Sequence, residues 1–223
     1  MLAETTFHRQ LDILPPDNAK KAITLIGCGG IGSVTTIALA KVGFENLSIY
    51  DDDIVEDHNL PSQFFFIGDK DKNKGEAVSN ITDLLAHIKP AIHSYKWNEE
   101  HHSFSPIMIS AVDSMNARKE IWPLIKNKLE VELYIDARMS AESMRIYCIN
   151  PIDPDDQTFY EAQLYDDSEA NEELCTAKAI AYNTFVIGGI VASLVKKHVM
   201  QQPKPKEFIF DLQTYGLYRP ELT

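Results

Sequence analysis

The stretch Gly27-Cys28-Gly29-Gly30-Ile31-Gly32-Ser33 combines small residues with an apolar run on either side, Ala22 to Ile26 before it and Val34 to Ala40 after it. This reads as strand, glycine turn, helix, and its chemistry is anion binding. Glycines permit the sharp turn and let backbone N–H groups approach phosphate oxygens, while the new helix offers its positive end to the same anion. A second apolar run, Asn46 to Tyr50, ends in Asp51, close to the ~20-residue interval at which an acidic residue bonds ribose hydroxyls in dinucleotide-type folds. Together Gly27, Gly29, Gly30, Gly32 and Asp51 predict a nucleotide site.

These residues need a scaffold that brings strand ends together. Residues 22–26, 46–50, 106–112 and 133–137 are short β-type runs, and 31–42, 74–89 and 115–128 carry helical periodicity. Such alternation argues for a Rossmann-like parallel sheet with helices on both faces. From Ser143 to Ile149 polar and apolar residues alternate, as in an antiparallel strand with one wet face. The fold expected is therefore α/β, extended by antiparallel strands in its C-terminal half. Asn150 to Asp156 is a turn cluster, 158–164 a short helix, 166–173 an acidic loop, 176–199 a long buried helix and 207–212 a last strand. In that helix Gly188 and Gly189 would admit another backbone.

Composition narrows the partners. At 223 residues the chain reads as one domain, with an arm at 1–20, a nucleotide-binding half at 21–138 and the antiparallel part at 139–223. Thirty-three acidic against 21 basic residues give a net charge of −12, which disfavours nucleic acid. No basic and apolar leader opens the chain and no apolar run reaches the ~20 residues of a membrane span, so a soluble cytoplasmic protein is expected. Cys28, Cys148 and Cys175 form neither an even disulfide framework nor a C-x-x-C pair, and the seven histidines show no metal-ligand spacing. Cys28 reads as packed in the turn and Cys148 as half-buried in a strand; Phe64-Phe65-Phe66 is either core or partner surface.

Beyond the second strand the chain continues Asp51-Asp52-Asp53-Ile54-Val55-Glu56-Asp57-His58-Asn59-Leu60-Pro61-Ser62-Gln63. With the glycine turn, this resembles the ubiquitin-activating, ThiF and MoeB superfamily, whose pattern is D-x-D-x-V-E-x-[SH]-N-L-x-R-Q. The likeness extends through Lys74 and through Asp113 with Asn116-Ala117-Arg118, over most of residues 7–200. It implies an ATP- and Mg²⁺-dependent adenylyltransferase acting on the C-terminal carboxylate of a ubiquitin-like or sulfur-carrier protein. Asp51 would then hold ribose, Asp53, Asn59 and Gln63 would line the nucleotide, Lys74 would meet phosphate oxygens and Asp113 would ligate Mg²⁺. Arg9 would reach across a homodimer into the partner's site. Cys175 stands where relatives carry a cysteine that becomes linked to the carrier; a helix start favours its thiolate, while Glu172 and Glu173 oppose it.

The chemistry asks for these residue types on its own terms. Attack of a carboxylate on an α-phosphate brings anions together, which a cation, Mg²⁺ and backbone donors must offset. One position departs from the pattern: Ser62 replaces an arginine, and a hydroxyl cannot reproduce a charged bidentate contact. Arg138, placed directly after the 133–137 run, is the candidate substitute. Two other readings remain open, a nucleotide-binding scaffold without turnover and an NAD-dependent oxidoreductase.

Overall fold

The computed structural model describes residues 4–165 and 180–218. Strands β1 (Ile23–Ile26), β2 (Leu47–Tyr50), β3 (Ala91–His93), β4 (Ile107–Ser110), β5 (Leu133–Ser140), β6 (Ser143–Ile149), β7 (Glu207–Asp211) and β8 (Gly216–Tyr218) form one sheet in the order β3-β2-β1-β4-β5-β6-β7-β8. The first five in that order pair in parallel and β5 to β8 pair antiparallel. Helices α1 (Gly30–Val42), α2 (Lys74–Ala86), α3 (Met115–Ile125), α4 (Pro154–Glu161) and α5 (Ala181–Val199) cover it. The expected α/β architecture with a mixed end is what the chain adopts.

Strand periodicity sorts the side chains into two cores. Ile23, Leu25, Ile107, Ile109, Leu133 and Ile135 point to one face, where α1, α2 and α5 bury Leu39, Ile81 and Val191 among them. Ile26, Met108 and Tyr134 point to the other, under Trp122 of α3 and Tyr160 of α4. Parallel strands buried on both faces need such continuous apolar runs.

The two glycines of α5 behave differently. A Cβ on Gly188 would lie 2.7 Å from Val34 Cγ1 and 3.1 Å from the Thr35 nitrogen, so α5 approaches α1 as closely as a glycine allows. One on Gly189 would meet nothing within 4 Å. Gly188→Ala should therefore destabilise by ~1–3 kcal/mol through overpacking. Gly189→Ala should stabilise by up to ~1 kcal/mol, because alanine loses less backbone entropy in a helix. Denaturant midpoints of the two variants should shift in opposite directions.

Several boundaries differ from expectation. The helix expected at 158–164 starts earlier, at Pro154, because the Asp153 carboxylate accepts from Asp155 N and Asp156 N and a proline opens the first turn. Helix α2 stops at Ala86, where His87 turns left-handed (φ 53°) and its N–H bonds the Asp83 carbonyl. Strands β3 and β8 carry three residues each, too short for a periodic signal. Strand β5 continues to Ser140, so Arg138 lies inside it, opposite Arg145 of β6, and does not follow it. The acidic loop at 166–173, Cys175 and the first residues of the expected long helix lie outside the described residues. Among the described residues no helix is long and apolar enough to cross a membrane.

Candidate active site

Strand order reverses between β1 and β4, since the chain runs from β1 outward through β2 and β3 and then returns to β4 on the other side. Such a switch point opens a crevice at the C-terminal ends of the strands. The glycine turn closes onto it. Gly27 adopts φ 93°, and a Cβ there would sit 2.8 Å from the Ala111 carbonyl oxygen just past β4. A Cβ on Gly32 would fall 2.0 Å from the Gly27 carbonyl oxygen. These two glycines are fixed by the turn itself.

Gly29 and Gly30 have more room. A Cβ on Gly29 would meet only Gln63 Nε2, at 3.8 Å, and one on Gly30 would touch Met139, Thr184 and the Ser62 carbonyl at 3.3 to 3.5 Å. Gly29 is the N-cap of α1 and has no side chain to bond the first-turn N–H groups. An uncapped helix start with its glycine open to approach fits a phosphate. Gln63 adds a second sign of an absent group, because its buried Oε1 has no hydrogen-bond partner.

The acidic loop after β2 is built around Asp51. Its Oδ2 accepts from Cys28 N at 2.5 Å and its Oδ1 from Asp53 N at 2.8 Å. Burial pushes the Asp51 carboxyl up, against the pull of those two N–H donors and of Lys74. Asn73, the N-cap of α2, binds the Asp51 and Asp53 carbonyls through Nδ2 and accepts from Glu76 N through Oδ1. It thereby ties the loop to the helix. Its role was legible in the Asn73-to-Glu76 spacing of a helix start and was missed.

Lys74 follows as the first residue of α2. It is 7% exposed, and its Nζ lies 2.8 Å from Asp53 Oδ2, whose own side chain is 65% exposed. A buried cation at the positive end of a helix is unfavourable without a partner, and the partner here is in water. Asn59 is buried and closes the turn Asp57–Asn59 by accepting from Glu56 N at 2.9 Å. The backbone then folds over α1: Gln63 N bonds the Asn59 carbonyl and Phe64 N bonds Ser33 Oγ. Ser62 thus stands beside Gly30 and brings no charge. Phe65 is buried, Phe66 is exposed, and Phe64 meets Phe185 of α5 edge-on at 5.7 Å.

Asp113 is exposed in the connection from β4 to α3, on the other side of the crevice. Beneath it lies a buried network that sequence reading did not resolve. Arg118 Nε bonds Asp136 Oδ1 at 2.8 Å; Arg138 Nε bonds Asp136 Oδ2 at 2.7 Å and Tyr160 OH donates to the same oxygen. Arg138 also donates to the Gln163 carbonyl and lies over the Tyr147 ring. Its Nε and Nη1 are taken by Asp136 and the Gln163 carbonyl, while its buried Nη2 has no hydrogen-bond partner, so one donor is left for the substitution expected of it.

Burial alone would push the Asp136 carboxyl up, and the charges of Arg118 and Arg138 reverse this and hold it below the ordinary carboxylate range. A depressed folded-state value means that this group's stabilisation is fully present above the unfolded value near ~4 and is lost as pH falls through the lower folded value. Asp136→Asn should cost ~3 kcal/mol at neutral pH by leaving two guanidiniums without their anion. Its stability should also fall less steeply than that of the parent between pH ~4 and ~2, as read from denaturant midpoints across that range.

One expected site residue stands apart from its own chain's crevice. Arg9 is exposed in the turn of helix Glu4–Gln10, whose Phe7 packs at Gly43 and whose Gln10 Nε2 bonds the Val42 carbonyl. That is the far end of α1, about 20 Å from the glycine turn for 13 residues. Cys175 lies outside the described residues. Cys148 is fully buried and not half-buried, and burial pushes its thiol up to about 12. Cys28 is buried within the turn, its thiol pushed well up by burial.

Asp51, Asp52 and Asp53 bring carboxylate oxygens within 4.8 Å of one another, the one such group among the described residues. Mg²⁺ is usually held by one or two carboxylates together with substrate phosphates, and Asp113 at the crevice suits that role without a protein cage.

A crevice at a strand switch, a glycine turn, an acidic loop and a buried lysine also define a known sequence pattern, and that of the ThiF family matches residues 17–222. The chain belongs to the ThiF family. This ThiF-family protein is 31% identical over 114 residues to the NEDD8-activating enzyme E1 catalytic subunit of Dictyostelium discoideum, covering 49% of this chain and 26% of that one. It is 35% identical over 69 residues to the adenylyltransferase and sulfurtransferase UBA4 of Yarrowia lipolytica, covering 31% and 17%. The likeness thus spans about a quarter or less of those relatives. Among solved structures, Escherichia coli MccB with ATP superposes with TM-score 0.70 at 17% identity, covering 93% of this chain and 66% of that one. PaaA superposes with TM-score 0.73 at 22% identity, covering 98% and 82%. At such identities the likeness establishes the fold.

Proposed function

We propose that this ThiF-family protein is an ATP-dependent adenylyltransferase that activates the C-terminal carboxylate of a ubiquitin-like or sulfur-carrier protein. The observation that carries the reading is the convergence, at one strand switch, of an uncapped glycine turn, Asp51, the buried Lys74 and Asp113. One carboxylate oxygen attacks the α-phosphorus, the bond from that phosphorus to the bridging oxygen breaks, and pyrophosphate leaves with the electron pair. Asp51 orients ribose, the N–H groups at the start of α1 receive phosphate oxygens, and Lys74 exchanges Asp53 for the charge that develops on phosphate. Mg²⁺ held by Asp113 would neutralise the pyrophosphate.

The names of the relatives support the substrate class: one activates NEDD8 and another is called an adenylyltransferase and sulfurtransferase. The reading includes a homodimer in which Arg9, remote from its own glycine turn, serves the partner's site. It also includes Cys175 as an acceptor of the activated carrier; mass spectrometry showing product with unmodified Cys175 would remove that step. A scaffold without turnover is favoured by Ser62, which brings no charge beside Gly30.

Thermal unfolding separates nucleotide classes. ATP with Mg²⁺ at a hundred times its dissociation constant should stabilise by ~2.7 kcal/mol, which for ~200 residues is about 5 to 10 °C. Asp51→Ala should lose most of that shift. Stabilisation by NAD and none by ATP would replace this reading with redox chemistry.

A further inference from the structure

We propose that Arg118 is the positioning residue for Asp113, holding the metal-binding loop in the geometry that Mg²⁺ requires. The inference rests on the assignment of Asp113 to Mg²⁺ made above. Asp113 lies on a short connection between β4 and α3, exposed and without a regular element of its own. Arg118, one turn into α3, reaches back beneath it. Its Nη2 donates to the Val112 carbonyl at 2.6 Å and its Nη1 to the Ser114 carbonyl at 3.0 Å. The planar fork therefore grips the residues on both sides of Asp113.

The fork is itself held. Nε is fixed by Asp136 at 2.8 Å, and Nη2 shares a second, longer bond with the Ala137 carbonyl at 3.4 Å. Arg118 is 5% exposed and Asp136 fully buried, so neither competes with water. Asp136 is fixed in turn by Arg138 and Tyr160, and Arg138 by the Gln163 carbonyl just past α4. A hydrogen-bonded path thus runs from the loop of Asp113 through β5 to Gln163, just past α4. Arginine suits this place because its donors diverge in one plane from three nitrogens, whereas a lysine ammonium gathers its three donors on one atom and cannot span the two carbonyls and Asp136 together. Mg²⁺ tolerates little departure from octahedral geometry, so a loop carrying one of its few protein ligands has to be held.

The test is the factor by which Mg²⁺ tightens ATP binding, measured by calorimetry with ATP alone and with ATP plus Mg²⁺. The parent protein should show a clear Mg²⁺ enhancement, and Asp113→Ala should lose it. Arg118→Lys should reduce the enhancement by ~10-fold or more, the usual cost of disturbing the support of a metal ligand, while Mg²⁺-free ATP affinity stays at the parent value. Combined with Asp113→Ala, it should add nothing further. Asp136→Asn, which loosens the fork without touching the loop, should act in the same direction.

If Arg118→Lys keeps the parent's enhancement, or lowers Mg²⁺-free and Mg²⁺-bound affinities alike, the positioning role is wrong and Arg118 is structural only. A parent protein that binds ATP with no Mg²⁺ enhancement overturns the metal assignment and this inference with it.

Discussion

Gly32→Ala should abolish ATP binding and lower stability by several kcal/mol. The added methyl would lie 2.0 Å from the Gly27 carbonyl oxygen, well inside van der Waals contact, and the obstacle is backbone. Relief requires either a shift of α1 away from the turn or a rotation of the Gly27 peptide. The second is opposed, because the same peptide carries Cys28 N, whose hydrogen bond to Asp51 Oδ2 the rotation would break. Moving α1 breaks its contact with α5 at Gly188, so the damage extends into the larger core. Overpacking costs ~1–3 kcal/mol where side chains can yield, and more is expected where none can. Calorimetry with ATP and denaturant unfolding of the same variant measure both effects; Gly189→Ala, at an open position of α5, is the control that should leave ATP affinity unchanged.

Lys74→Met should reduce adenylation, assayed as pyrophosphate exchange with a saturating carboxylate substrate, by ~10²–10³-fold, the usual cost of removing one donor aimed at developing charge. Methionine retains most of the buried volume. Asp53, left without its cation, is largely in water and pays little for the loss, so stability should change by under ~1 kcal/mol. A purely structural lysine predicts the opposite pattern, a stability loss with exchange intact. Rate and melting temperature on one preparation therefore separate the two roles.

Much of this was legible in the chain because the signals are local. The glycine turn, Asp51 and the alternation of apolar runs each sit within a few residues, and they place the switch point as soon as the strands are taken as parallel. What was not legible depends on register and on distant partners. Arg138 looked like the residue after a strand, yet the pairing of β5 with β6 carries the strand to Ser140 and puts Arg138 on the same face as Tyr134 and Asp136. The alternation Leu133, Ile135, Ala137 against Tyr134, Asp136, Arg138 holds that information once the strand is long enough. The hold of Arg118 on Asp136 joins residues 18 apart in sequence and on different elements, so no window shows it. Arg9 was expected to reach a partner's site, and its own helix packs through Phe7 and Gln10 at the far end of α1 from its own glycine turn. Three-residue strands β3 and β8 carry too few residues to alternate.

The decisive measurement is the fate of the substrate's carboxylate oxygen. A carrier protein or peptide with an ¹⁸O-labelled C-terminal carboxylate, and its C-terminal amide as control, would be incubated with ATP, Mg²⁺ and an added thiol. Adenylation at this site predicts AMP and pyrophosphate from the carboxylate alone, with ¹⁸O recovered in the AMP, and loss of both products in Asp113→Ala. Release of ADP and orthophosphate, or AMP free of label, would contradict it.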